Sequence, residues 1–242
     1  MGRQRRTDQP AIPSPGGYLH ESQRAWVSLL FIAPALVVFE IGAMFRPPNL
    51  VAREALTNVF AVFGLSGRLM VYVPGVVLVV LLLAIHAARR EPWTFRWETL
   101  GFMLVESLMW AAPMLLLDRI VSGRLLSAAM RMVDEALLSI GAGLYEELVF
   151  RLILISLGIL LLHDVLGMRP VLAAAVSVAA SSLLFSWVHF APVGRESFAM
   201  APFLFRLVAG GFLAGVYVLR GFGVAAGAHI IYDLIVSALN HH

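Results

Sequence analysis

The chain concentrates its reactive side chains in three short motifs, Glu146-Glu147-x-x-x-Arg151, Phe185-x-x-x-His189 and His229-x-x-x-Asp233. All three lie in apolar surroundings, where ionisable groups are costly to keep and are functional by default. Carboxylates and imidazoles withdrawn from bulk water are the groups that general acid and base catalysis needs. They equally suit the binding of ions or protons. The chain contains no Cys, which excludes thiolate nucleophiles, disulfide frameworks and Cys-ligated metals.

Helical spacing separates the roles within the first motif. Glu147 and Arg151 lie one turn apart on nearly the same face and are spaced for an i,i+4 ion pair. Glu146 lies about 140° from Arg151 on the same wheel, which leaves it free for a partner on another helix. In the same way Phe185 and His189 set a ring against an imidazole, and His229 and Asp233 share one face. Three central charges would cost about 8 to 10 kcal/mol on insertion scales, against about 0.3 to 0.6 kcal/mol returned by each large apolar residue. A solitary lipid-facing helix of this sequence is barely tenable. The charges must face a bundle interior, pair with one another or line a wet cavity.

The elements that position them are apolar helices. Of the 242 residues 60% are hydrophobic and 14% charged, whereas a soluble domain has about 45–50% apolar and about 25% charged. The expected fold is therefore all-α, a polytopic transmembrane helical bundle integral to a membrane. Spans are expected at 26–45, 69–88, 99–117, 136–162, 171–190, 200–219 and 222–239, seven in all, each long enough for the roughly 30 Å hydrocarbon core. An eighth follows if the less apolar segment 47–67 inserts. Segment 118–135, with Arg119, Arg124, Arg131 and Asp134 among Leu and Met, reads as an amphipathic interfacial stretch. Residues 1–24 read as a polar, flexible tail, and 25–242 as a single transmembrane domain. All 18 basic residues are Arg, scattered rather than gathered into a stripe, so no nucleic-acid partner is expected. Small residues at Gly141, Gly143, 173–182 and 223–228 permit close helix packing.

The three motifs, in this order on separate apolar helices, resemble the CPBP family, the CAAX-protease and bacteriocin-processing intramembrane proteases that include the Ras-converting CAAX endopeptidase. The resemblance covers about residues 136–239. It implies an intramembrane endopeptidase that hydrolyses a peptide bond of a membrane-associated protein. Glu146 and His189 would activate water, and His229 with Asp233 would stabilise the oxyanion. Glu147, Arg151 and Phe185 would orient them. Eukaryotic members carry Asn where this chain has Asp233, so this carboxylate more readily orients His229 than donates to an oxyanion. The resemblance also leaves zinc open, with Glu146, His189, His229 and Asp233 as its nitrogen and oxygen donors. A mechanism requiring no cofactor is favoured, because the His-Glu-x-x-His motif is absent and a glutamate with a histidine can activate water unaided.

An Arg-only, Cys-free chain suggests a bacterial inner membrane, with maturation of a lipid-anchored or sorting-signal protein as in the myxosortase-like branch. The competing reading is a non-proteolytic membrane protein that uses the same Glu, His and Asp cluster for ions or protons, or as a scaffold or immunity factor. Outside the motifs, Glu40 and Glu106 are expected to be buried acids with local hydrogen-bond partners. Arg206 is expected to snorkel in preference to binding a substrate carboxylate.

Overall fold

A computed structural model describes residues 15–45, 50–62, 72–122, 132–190 and 196–239. Among them the protein is all-α. The helices are α1 (Pro15–Ser22), α2 (Ala25–Phe45), α3 (Val51–Val62), α4 (Val73–Arg89) and α5 (Trp97–Ser122). There follow α6 (Met132–Glu146), α7 (Ser156–Ile159), α8 (Pro170–Trp187), α9 (Met200–Arg220) and α10 (Phe222–Leu239). Two π-helical stretches, Glu147–Ile155 and Leu160–Val165, flank α7, so one continuous rod runs from α6 onward.

Six of the described helices are long and apolar enough to cross a membrane: Ala25–Phe45, Trp97–Ile120, Asp134–Val165, Pro170–Trp187, Met200–Arg220 and Phe222–Leu239. The expected second span appears as the shorter apolar helix Val73–Arg89, opened by Pro74 and ended by a left-handed residue, Arg90. A count of six long helices thus stands beside the seven or eight expected. Segment 118–135 does not form a separate interfacial helix in its described part. Asp118–Ser122 completes α5, and Asp134 and Glu135 enter the first turn of α6, where acidic groups complement the helix dipole. Residues 1–14 of the expected tail lie outside the described residues, as do 47–49 and 63–67 of the weakly apolar segment, 69–71 and 123–131.

Packing centres on α10, which lies against α2, α5, α6 and α9. Over half of its apolar window is buried, against a third or less in the other five. The reason lies in its small residues. A Cβ added at Gly223 would lie 3.0 Å from the backbone of Ser28 in α2, and one on Gly143 of α6 would lie 2.8 Å from the backbone nitrogen of Ile230. The small side chains therefore bring the α6 and α10 backbones close enough for Glu147 and His229 to meet. Gly221, with φ of 84°, turns α9 into α10 through a single residue, a conformation that costs glycine little.

Inside the polar amino-terminal region, α1 is docked on the bundle. The Glu21 carboxylate accepts hydrogen bonds from the Arg96 backbone N–H at 2.9 Å, the Arg96 guanidinium at 2.8 Å and the Thr99 hydroxyl at 2.9 Å. Burial pushes the Glu21 carboxyl up, and these donors outweigh it, holding the group below the usual carboxylate range. A folded pKa below the unfolded value of about 4.3 contributes stability at neutral pH that is lost as pH falls through the folded value. The docking of α1 is therefore expected to persist down to about pH 4 and to loosen below it. Amide exchange in residues 15–22 measures this, and Glu21→Gln should abolish the pH dependence.

Candidate active site

Glu146 is the last residue of α6 and stands where the helix widens into its π-helical stretch. Such widenings occur frequently at functional sites. Its carboxylate lies between two imidazoles, with Oε1 3.7 Å from His189 Nε2 and Oε2 4.0 Å from His229 Nε2. Both separations exceed a direct hydrogen bond. Asp233 approaches His229 from one turn further along α10, its Oδ2 3.4 Å from Nε2. The four side chains line a common cavity of about 710 Å³, with Phe185, Glu196, Arg206 and Tyr232 also on its wall.

Each imidazole is anchored by its other nitrogen. His189 lies just beyond the end of α8, and its Nδ1 is 2.7 Å from the Phe185 carbonyl. This carbonyl belongs to the last turn of the helix, where backbone acceptors lack intrahelical partners. A carbonyl only accepts, so Nδ1 carries the hydrogen and donates it. In the neutral ring Nε2 then presents a lone pair toward Glu146. His229 Nδ1 is 2.8 Å from Glu147 Oε1.

Glu147 holds two partners at once, since Arg151 Nη1 lies 3.1 Å from the same Oε1. Glu147 and Arg151 are both fully buried. The guanidinium is covered on one side by the Phe185 ring, 4.5 Å from its centroid, and its Nη2 donates to the Gly210 carbonyl at 3.3 Å. The Phe185 ring also packs against His189 and His229, with centroid separations of 5.1 and 6.2 Å. The spacing-based pairing of Glu147 with Arg151 and the freedom of Glu146 toward other helices are thus both present in the geometry. The bond from Glu147 to His229 was not expected. The Gly143 and Ile230 close approach is the sequence signal that could have suggested it.

Other charged groups fall into place around this centre. Glu106 accepts from Tyr18, Trp110 and Arg220, and Glu40 from Tyr145 with Arg53 nearby. Both carboxylates have local partners, as expected, and neither is on the wall of the cavity. Arg206 faces the cavity and grips Glu196 through two hydrogen bonds. Sequence reading had passed over Glu196.

The donor chemistry of Glu146, His189, His229 and Asp233 suits zinc. Among the described residues no group of three His, Asp or Glu side chains is placed to hold a metal ion. Separations of 3.7 and 4.0 Å around one carboxylate also leave room for a bridging water.

The fold and site define a class, a multi-pass helical membrane protein with a buried glutamate and histidine centre. Comparison with known families makes this more specific: residues 128–235 match the Rce1-like type II CAAX prenyl endopeptidase family. That part of the chain encloses all seven motif residues. No curated protein and no solved structure gives a significant match.

Proposed function

We propose that the protein is an intramembrane endopeptidase in which Glu146 and His189 activate one water between them. The carrying observation is the placement of a carboxylate oxygen and an imidazole Nε2 3.7 Å apart on a cavity wall. A water there gives one hydrogen to Glu146 and the other to the His189 lone pair, which turns its own lone pair toward a substrate carbonyl. Glu146 takes the proton as the water oxygen bonds to the carbonyl carbon. The resulting oxyanion is met by His229, which in its acting form carries hydrogen on both nitrogens. Nδ1–H stays on Glu147 and holds the ring in place, and Nε2–H turns from Asp233, 3.4 Å away, to the oxyanion. When the tetrahedral centre collapses, the C–N bond breaks and the proton on Glu146 passes to the leaving amine. The second proton of the water, held on the new hydroxyl, passes to His189 Nε2 and from there to solvent, so the products are a carboxylate and a free amine, and no group in the sequence of steps requires a metal.

The substrate we propose is a membrane-anchored protein, because the helices that carry the site are long and apolar enough to cross a membrane, and the setting we propose is a bacterial cytoplasmic membrane. Carboxyl-terminal masses of membrane proteins should be compared between cells expressing the wild-type chain and cells expressing Glu146→Gln. At least one protein is expected to lose a carboxyl-terminal peptide only with the wild-type chain. Identical mass profiles would overturn the reading. The purified chain is expected to keep its activity after dialysis against a chelator, and loss restored by zinc would reassign the water activation to a metal.

A further inference from the structure

Glu40 sits in α2, a helix otherwise apolar enough to cross a membrane, and it is not on the wall of the cavity that holds the catalytic groups. An ionisable group kept at such a place is functional by default. Its Oε1 accepts the hydrogen of the Tyr145 hydroxyl. Tyr145 is completely buried and is the residue immediately before Glu146.

Three helices that precede the family-matching residues 128–235 build this contact. From α2 come Glu40 and Phe39, whose ring lies edge-on to that of Tyr145 with centroids 5.2 Å apart. From α3 comes Arg53, with Nη2 3.9 Å from Glu40 Oε2 and its guanidinium 5.1 Å from the centroid of Phe39. What α4 contributes is space: a Cβ on Gly75 would lie 2.7 Å from Glu40 Oε1 and 3.3 Å from the Tyr145 hydroxyl. The missing side chain lets carboxylate and hydroxyl meet.

The consequence falls on Glu146. Its carboxylate stands 3.7 and 4.0 Å from the two imidazoles, beyond direct hydrogen bonds, so those rings leave room for water and do not fix it. The backbone must place it instead. Neighbouring residues of an α-helix point about 100° apart, so Tyr145 faces α2 and α4 while Glu146 faces the cavity, and any roll of the rod moves both. The pitch changes at this point, since the π-helical stretch Glu147–Ile155 begins one residue later. On its α10 side the rod is held by the hydrogen bond between Glu147 and His229. On its α2 side it is held through Tyr145.

We propose that Glu40 is a positioning residue for Glu146: through the Tyr145 hydroxyl it fixes the rotation of α6 where the pitch changes, and so keeps the carboxylate between His189 and His229. The proposal rests on the peptidase reading and deepens it by giving the amino-terminal helices a part in the reaction.

The test uses the full chain in detergent micelles, with the membrane protein that loses carboxyl-terminal mass to the wild-type chain as substrate. Rates are taken well below the thermal midpoint of every variant, so that a merely structural role leaves them unmoved. Tyr145→Phe keeps the ring and its packing and removes one hydroxyl. Its kcat is expected to fall by about 10²-fold, the scale on which a misplacement of about 1 Å acts, with little change in KM. Glu40→Leu removes the carboxylate and Gly75→Ala displaces it, and both should do the same. Glu40→Gln keeps an oxygen that accepts from Tyr145 and should retain most of the wild-type kcat. Amide exchange on the same preparations should quicken over residues 147–155 in Tyr145→Phe and stay at wild-type rates over 222–239. A wild-type kcat in Tyr145→Phe, or a loss expressed in KM alone, would overturn the proposal. A wild-type chain that cuts nothing would remove the peptidase reading instead, and exchange then decides by itself. Unchanged rates over 147–155 in both Tyr145→Phe and Glu40→Leu would mean that the bond does not hold the junction, whereas faster rates would leave Glu40 positioning Glu146 for whatever chemistry that carboxylate performs.

Discussion

Exchanging Glu146 for Gln is expected to lower the rate of peptide hydrolysis by about 10² to 10⁴-fold with little change in KM. The substitution keeps the shape of the side chain and removes its ability to take a proton from water. His189→Ala should cost a similar factor, because the imidazole Nε2 is the second acceptor for the same water, 3.7 Å from the Glu146 carboxylate. The two losses should not multiply. Groups that act as a unit on one molecule of water lose their joint effect when either is removed, so the double variant should be about as slow as the slower single one. Initial rates with a membrane-anchored substrate, measured for both single variants and the double, decide the matter. Losses that multiply would mean that the two residues act in separate steps.

The helices were legible in the sequence because each span is written in its own residues. A run of apolar side chains long enough to cross the hydrocarbon core is visible without knowing its neighbours, and six such helices lie at expected places. In segment 118–135 a scatter of Arg and Asp among Leu and Met describes the water boundary as well as it describes a helix end. Its described parts belong to α5 and α6, and the acidic pair at 134 and 135 marks a helix start rather than a helix face. The docking of α1 was hidden for a different reason. Its anchor runs from Glu21 to Arg96 and Thr99, and nothing local to residues 1–24 announces those partners.

The site divides along the same line. The pairing of Glu147 with Arg151 and the edge-to-face contact of His189 with Phe185 are relations within single stretches of chain, which a helical wheel can find. The π-helical widening after Glu146 is not visible to a wheel that assumes one pitch. The hydrogen bond between Glu147 and His229 spans 82 residues of sequence, and only the missing side chain at Gly143 hints that the two helices touch there. From the sequence Arg206 can either snorkel or bind a substrate carboxylate, and its helix alone does not choose between them. The cavity and the Glu196 carboxylate that give it a polar setting are both tertiary.

Replacing Glu147 with Ala is expected to be the most destabilising change in this centre. It leaves Arg151 as a fully buried charge whose remaining partners are the Gly210 carbonyl and the face of Phe185. Breaking a buried pair from one side costs about 3–5 kcal/mol, which corresponds to a fall in thermal midpoint on the order of 10 °C for a chain of this size. Adding Arg151→Met to Glu147→Ala removes the stranded charge and should recover most of that loss. Activity should not recover, because His229 has still lost its Nδ1 anchor at 2.8 Å and can turn away from the position where it meets an oxyanion. Glu147→Gln keeps an acceptor for Nδ1 and should fall between the two in both respects. Thermal unfolding in detergent and initial rates on the same preparations separate these effects. A double variant no more stable than Glu147→Ala would mean that the cost does not come from Arg151, and one that regained full activity would remove Glu147 from the positioning of His229.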